Sequence, residues 1–262
     1  MSERLFPDRD VPGAFWVRFG PTSQSWVDPS RPDFLAFEYV QHIAMVLDHT
    51  VLDAEPECRL RVVHLGGAGM SLPRWVAGRR PGTAQVVCEP DVELTAEVRR
   101  KIPLPPRSGI KVRDVDGRMG LAAMADEWAD VIIVDAFDGA QVPGELGTQE
   151  ALDQVRRVVR GDAVAVFNIT DRSPFAWAKR LAGGLQQRWR HLLIGMEPVV
   201  AKGKRFGNLV LVASDVKPDV AGIERESAKL TIGYRWIAGQ QARGWHGGAE
   251  PMTDDAHEPS PG

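Results

Sequence analysis

One glycine-rich loop and four carboxylates carry the chemistry that this sequence can do. Gly66-Gly67-Ala68-Gly69 directly follows the apolar run Val62-Val63-His64-Leu65. Small residues after a strand let the backbone approach a bound nucleoside closely, and in open α/β sheets that loop lies at the ligand crevice. Glycine also serves ordinary strand–helix turns. Glu89 ends the run Val86-Val87-Cys88, 23 residues after Gly66. A carboxylate at this spacing is placed to accept hydrogen bonds from ribose hydroxyls; the alternative is an acid capping a helix that begins near Pro90. Asp116-Gly117 follows a third apolar run. An acid there can accept from an adenine amino group, but Asp-Gly is also a favoured turn pair, and spacing alone favours the turn. Asp135 and Asp138 close the clearest run, Val131-Ile132-Ile133-Val134. Two close carboxylates can hold and desolvate an ammonium or take its proton; the alternative is strand-end capping followed by a turn at Asp138-Gly139.

These residues need a frame that brings strand ends together. Short apolar runs at 60–65, 84–88, 110–112, 131–134, 163–167, 192–195 and 209–212 alternate with helical patterns at 90–102, 148–160 and 174–188. Such alternation predicts an α/β fold with a doubly wound, mostly parallel sheet. Ahead of it, residues 14–19 and 24–27 read as two strands around the turn Gly20-Pro21-Thr22-Ser23, an N-terminal β-hairpin. Pro29, Pro32 and Asp33 announce a helix whose apolar positions are Phe34, Phe37, Ile43, Val46 and Leu47. The expected organisation is a hairpin and helix at 1–57, a nucleoside-binding α/β domain at 58–214, and a helical extension at 215–246 with one helix over 222–241. Residues 247–262 are rich in Gly, Pro, Asp and Glu and are expected to be disordered.

The formal net charge of the 262 residues is -3, so no global basic field points to nucleic acid or an anionic membrane. No apolar stretch approaches the roughly 18 residues of a membrane span. Cys58 and Cys88 lie far apart and read as reduced thiols of a cytoplasmic protein. His64, inside the first strand of the α/β series, reads as a packed core histidine. No histidine pair has metal-ligand spacing, so no metal is expected. Trp16 and Trp26 are expected to pack the hairpin, and Trp75, Trp177 and Trp236 to lie on helix faces toward the core. Arg99-Arg100-Lys101 complements a helix C-terminus.

Together, Gly66-Gly67-Ala68-Gly69-Met70-Ser71, Glu89, Asp116-Gly117 and Asp135-Ala136-Phe137-Asp138 resemble the spermidine synthase family, the polyamine aminopropyltransferases, and its divergent spermidine synthase-like branch. The resemblance runs from about Phe15 to Ser214. The family pattern is a GGGDGG loop, an acid after the second strand, Asp-Gly after the third and Asp-Ser-Ser-Asp after the fourth. Gln24 resembles the family glutamine near the substrate, and Tyr39 the tyrosine of its Tyr-His-Glu motif. Phe206-Gly207-Asn208 before an apolar strand is similar to the same relatives. The resemblance implies a Rossmann-like fold of the class I methyltransferase type and a decarboxylated S-adenosylmethionine or S-adenosylmethionine co-substrate. It also implies aminopropyl transfer to a small polyamine acceptor, and it allows a homodimer built through the N-terminal hairpins. It places Gln24, Gly66, Gly67, Gly69, Glu89, Asp116 and Gly117 at the donor and Tyr39 and Asp138 at the acceptor. Asp135, assisted by Asp138, would bind and deprotonate the attacking amine. The sequence departs from the pattern where Gly69 replaces the loop acid, Val40-Gln41 replace His-Glu, and Ala136-Phe137 replace two serines. These departures keep two alternatives open, an S-adenosylmethionine-dependent methyltransferase and a non-catalytic nucleoside-binding homologue.

Overall fold

The computed structural model describes residues 3–53, 55 and 57–262. Three short strands, β1 (Leu5–Pro7), β2 (Phe15–Phe19) and β3 (Thr22–Val27), form an antiparallel sheet in that order. The expected hairpin is β2–β3; β1 is an additional strand that lies along β2. Leu5, Val17 and Val27 of this sheet pack on Met70, Val87, Leu94, Val98 and Ile102. The hairpin therefore sits on the glycine loop rather than apart from it. The helix α1 (Glu38–Asp48) starts later than its proline signals suggest, and Phe34 remains 46% exposed ahead of it.

The main sheet contains β4 (Arg61–Leu65), β5 (Ala84–Cys88), β6 (Ile110–Arg113), β7 (Ala129–Val134), β8 (Val159–Asp171), β9 (His191–Met196), β10 (Gly207–Ser214) and β11 (Arg235–Ile237). Their spatial order is β11-β9-β10-β8-β7-β4-β5-β6. Neighbours from β6 through β8 are parallel, whereas β10 runs antiparallel to β8 and β9, and β11 antiparallel to β9. Every residue of β7 is buried because both faces are covered. Ile132 and Val134 enter one apolar layer, and Val131 and Ile133 the other, so a continuous β-branched run is the sequence that fits. Helices α2 (Ser71–Arg79), α3 (Val92–Lys101), α4 (Gly117–Ala122), α5 (Gln149–Val158) and α6 (Ala176–Gln186) make the crossovers. The chain winds one way from β4 to β5 and β6, and the other way through β7 and β8. That reversal opens a crevice at the C-terminal ends of β4 and β7.

Two expectations about the C-terminal part need correction. The single helix over 222–241 is instead α8 (Val220–Ser227), β11 and α9 (Gly239–Trp245), after the short α7 (Pro198–Ala201). Trp236 accordingly lies on a strand, with its ring over Gly195, where any Cβ would overlap the indole. Residues 247–262, expected to be disordered, pack on the domain. Met252 and Ser260 are fully buried, the Trp177 indole donates to the Glu258 carbonyl at 2.8 Å, and Gln149 N–H donates to the Met252 carbonyl at 2.8 Å. A few well-placed backbone partners hold this segment, and composition does not reveal them. Among the described residues, no helix is long and apolar enough to cross a membrane.

Candidate active site

The ends of β4, β5 and β7 are stitched together by backbone bonds. Gly66 N–H donates to the Cys88 carbonyl at 2.9 Å, Asp135 N–H to Leu65 at 2.9 Å, and Glu89 N–H to Arg113 at 3.0 Å. Gly66 has φ +94°, and a Cβ there would overlap the Asp135 carbonyl, so glycine is required both by conformation and by contact. The loop continues through Ala68 (φ 41°) and Met70 (φ 63°), two non-glycine residues in the left-handed region. Such backbone costs about 1–3 kcal/mol per residue and is retained where the surroundings enforce it. Gly69 has no unusual φ; its constraint is space. A Cβ there would lie 2.8 Å from both Ser25 Oγ and Val27 Cγ2 of the hairpin.

Glu89, 8% exposed, supplies part of that enforcement. Its Oε2 accepts from the Gly67 and Ala68 amides, both at 3.0 Å, and its Oε1 from the Asp91 amide at 3.0 Å. The cap of α3 is Asp91, which accepts from Leu94 N–H, so Glu89 is not the helix-capping acid. Asp116 does cap a helix: its Oδ1 accepts from Met119 N–H at 2.7 Å at the start of α4. It is exposed and faces the crevice beside Gly117.

At the end of β7 the chemistry changes. Asp135 is half-buried; its Oδ1 accepts from Asn168 Nδ2 at 2.8 Å, and the Tyr39 hydroxyl also donates to the carboxylate. Burial pushes its pKa from 3.8 up to about 6, and the bonds from Asn168 and Tyr39 only partly oppose that rise. Burial, together with the charge of Asp135, holds the Tyr39 phenol well above its ordinary value, so Tyr39 stays a donor. Asn168 is fully buried on β8, and its Oδ1 accepts from Asn208 Nδ2 of β10 at 3.0 Å. Asp138 is exposed, in a turn closed by reciprocal backbone bonds with Gln141. Gln24 reaches from the hairpin to this turn and donates to the Gly139 carbonyl at 2.6 Å.

These groups surround one cavity of about 340 Å³, within the range of small-molecule sites. Gln24, Tyr39, Gly66, Gly67, Glu89, Asp116, Gly117, Asp135 and Asp138 all line it; Gly69 does not, because it faces the hairpin. Phe19, Phe37, Phe137, Pro143 and Leu146 add apolar wall. Asn168 and Asn208 belong to no motif that assigns them a role in the site. A lone amide inside the apolar run 163–169 was the available signal, since a buried polar group needs partners. His64 is a packed core residue: it is 2% exposed, its Nε2 lies 2.9 Å from Gln85 Oε1, and burial depresses it to about 4. Among the described residues, no group of three or more His, Cys, Asp or Glu is arranged to hold a metal ion.

No family model matches the chain. It is 24% identical over 232 residues to a polyamine aminopropyltransferase of Neisseria meningitidis, across 84% of this chain and 82% of that protein. It is 26% identical over 132 residues to the polyamine aminopropyltransferase of Vibrio vulnificus, across 50% of this chain and only 43% of that protein. Among solved structures, a probable spermidine synthase from Corynebacterium glutamicum aligns with a TM-score of 0.89 at 27% identity, over 95% of this chain and 92% of that one. Two more distant structures share the fold. One is a spermidine synthase with the transition-state analogue AdoDATO (TM-score 0.60, 15% identity, 87% of this chain and 75% of that one). The other is human methyltransferase-like protein 13 with SAH (0.58, 18%, 74% and 94%). The chain is thus similar to polyamine aminopropyltransferases and has a fold that methyltransferases also use.

Proposed function

We propose that the protein transfers an aminopropyl group from decarboxylated S-adenosylmethionine to an amine, with Asp135 as the base. One observation carries the reading. Asp135 stands at the reversal point of the sheet, in the same cavity as a nucleoside-type glycine loop, with a pKa near 6 and two fixed donors. A base poised just below neutral pH is ionised there and still takes a proton effectively.

In this reading the ribose lies against Glu89 and the adenine against Asp116 and Gly117. The amine enters as an ammonium, pairs with Asp135 and gives up one proton to it. Its nitrogen lone pair then attacks the propyl carbon attached to sulfur. The C–S bond breaks, its electrons neutralise the sulfonium, and methylthioadenosine leaves. Phe37, Phe137 and Leu146 keep water from the nucleophile, and Asp138 at the rim meets the far end of the acceptor. Positioning and desolvation supply most of the rate, because the protein forms no covalent bond. A donor-by-acceptor screen with mass detection tests this. Methylthioadenosine together with an aminopropylated amine is the expected product pair; S-adenosylhomocysteine with a methylated product would overturn the reading.

A second reading, methyl transfer from intact S-adenosylmethionine, has one observation in its favour. The hairpin fills the space beside Gly69, so no carboxylate projects from that position, and the hydroxyls of Ser25 and Ser71, 3.4 Å apart, line the cavity instead. A donor that keeps its own carboxylate meets no fixed negative charge from the loop. Calorimetry with S-adenosylmethionine, its decarboxylated form and methylthioadenosine separates the two, and clear preference for the decarboxylated donor removes the second.

A further inference from the structure

Residues 247–262 pass from α9 across both walls of the cavity. Asp254 pairs with Arg118 at 2.7 Å and accepts from Thr148 Oγ1 at 2.7 Å. Arg118 follows Gly117 and lines the cavity on the Asp116 side. Farther along, the fully buried Ser260 meets the adjoining wall, whose Glu145 carbonyl Arg118 Nη1 also reaches at 3.3 Å. Its N–H donates to the Val142 carbonyl at 3.0 Å, its Oγ accepts from Val142 N–H at 2.8 Å, and its carbonyl accepts from Gln141 Nε2 at 2.8 Å. The loop held this way, 136–146, supplies Phe137, Asp138, Pro143 and Leu146 to the cavity.

Val142 is 1% exposed, and Ser260 bonds both of its backbone groups. Without Ser260 those groups would be buried and unpaired, at a cost of about 1–3 kcal/mol each, or the loop would open to water. The other backbone–backbone bonds within the loop are local, the Asp138–Gln141 pair and the turn at Gly144–Leu146, while side chains hold its two ends, Gln24 at the Gly139 carbonyl and Arg118 and Thr148 at the Glu145 carbonyl. Thr170 at the end of β8 ties the middle of the loop to the main sheet: its hydroxyl donates to the Ala140 carbonyl at 3.0 Å and lies 3.2 Å from Ser260 Oγ.

We propose that Asp254 and Ser260 are positioning residues of the cavity. Asp254 sets Arg118 on the nucleoside wall. Ser260 sets the Gln141–Val142 backbone and, through it, the Asp138 loop on the amine wall. One segment, distant in sequence from either wall, thereby braces both and adds to the direct Arg118–Glu145 bond between them. This rests on the cavity being the reaction site, so loop order is measured apart from turnover.

The test uses three full-length variants. Ser260→Pro removes both the N–H and the Oγ, Ser260→Ala only the Oγ, and Asp254→Asn the negative charge that pairs with Arg118. Hydrogen exchange is expected to accelerate about tenfold or more over 139–147 in Ser260→Pro and less in Ser260→Ala, with the amides of 132–134 in β7 unchanged. Calorimetry with methylthioadenosine is expected to show about threefold or weaker binding in Asp254→Asn and less than about twofold change in Ser260→Ala. With an accepted amine, Ser260→Ala raises KM for the amine more than it lowers kcat. Unchanged exchange over 139–147 in the Ser260 variants overturns the amine-wall half, as does equal acceleration in β7, which marks general loss of stability. Unchanged methylthioadenosine affinity in Asp254→Asn overturns the other half. If no variant or wild type transfers any group while the exchange pattern holds, the functional reading fails and the brace stands.

Discussion

Glu89 and Asp135 occupy matching places. Each is the first residue past a parallel strand, β5 and β7, and those strands flank β4 on its two sides. Their surroundings have nothing else in common. Glu89 gives both oxygens to main-chain amides of the glycine loop and of Asp91, so its charge holds the loop in shape at the cavity wall. Asp135 receives two side-chain donors in an apolar wall, and burial leaves it with a raised pKa. In the proposed reading, one carboxylate shapes the donor half of the cavity and the other is kept available for a proton. The position at a strand end brings an acid to the crevice, and its neighbours decide what the acid does there.

The largest expected effect separates the two directly. Asp135→Asn should lower turnover by about 10³-fold, within the usual contribution of a positioned base, while methylthioadenosine affinity changes less than about threefold. The same substitution should leave the fold intact and stabilise it. An acid whose pKa is raised on folding contributes full stability below its ordinary value, 3.8, and loses it as pH rises through about 6. Wild type should therefore lose on the order of 2 kcal/mol between about pH 4 and 7 that the Asn variant keeps. Denaturant melts of both proteins at pH 5 and pH 8 check this, and a variant less stable than wild type at pH 8 would break the contrast.

Glu89→Gln should do the reverse. One acceptor oxygen of three-amide anchorage is lost and an NH₂ group faces main-chain donors, so stability should fall by about 1–3 kcal/mol and nucleoside affinity by about tenfold. The ratio of kcat between variant and wild type at saturating donor should change far less than in Asp135→Asn. A Glu89→Gln protein that binds methylthioadenosine normally would show that the loop does not depend on this carboxylate.

How far the sequence reaches follows the same divide. The alternation of apolar runs and helical patterns was enough for the doubly wound sheet, because strands buried on both faces must be continuously apolar, as β7 is. The glycine loop, Glu89 and Asp135 could be placed at the crevice from sequence because strand ends converge at the reversal of the sheet, whereas Asp116 read as a turn on spacing alone, and it caps α4 while facing the crevice. What failed to show was whatever depends on long-range partners. Asn168 reads as a blemish in an apolar strand until Asp135 and Asn208 are brought beside it. Trp236 fits a helical pattern until β9 offers it Gly195 and an open sheet edge. Ser260 sits in a stretch whose composition suggests no core, yet its partners are backbone groups of a loop more than a hundred residues earlier. Gly69 is the mixed case. Its identity was the notable departure in the loop, but its physical reason, the hairpin against it, belongs to packing.

That hairpin gives a smaller test. Gly69→Ala places a methyl group 2.8 Å from Ser25 Oγ and Val27 Cγ2, closer than real contacts allow, so these side chains or the hairpin must shift. Overpacking of this kind costs about 1–3 kcal/mol. The expected result is a lower melting temperature with the pH dependence of turnover unchanged, since the atoms that meet the new methyl group belong to Ser25, Val27 and Val17 and not to Asp135 or its partners Asn168 and Tyr39. A changed pH profile would mean that the hairpin, through Gln24 and the Gly139 carbonyl, also sets the base.

The finest distinction concerns how Asp135 is tuned. Its pH–rate limb in kcat/KM should rise through about 6, because only the ionised carboxylate accepts the proton. Asn168 donates to the ionised form and so lowers the pKa that burial raises. Asn168→Leu removes that donor without adding charge, and the limb should move to higher pH while the plateau at alkaline pH falls only modestly. Asn208 acts one step back. Its Nδ2 donates to Asn168 Oδ1 and so keeps the amide turned with Nδ2 toward Asp135. Asn208→Leu leaves Asn168 free to rotate, and the limb should move the same way by a smaller amount. In the double variant the Asn208 substitution should add nothing, because the amide it orients is gone; two additive shifts would mean that Asn208 reaches Asp135 by another route.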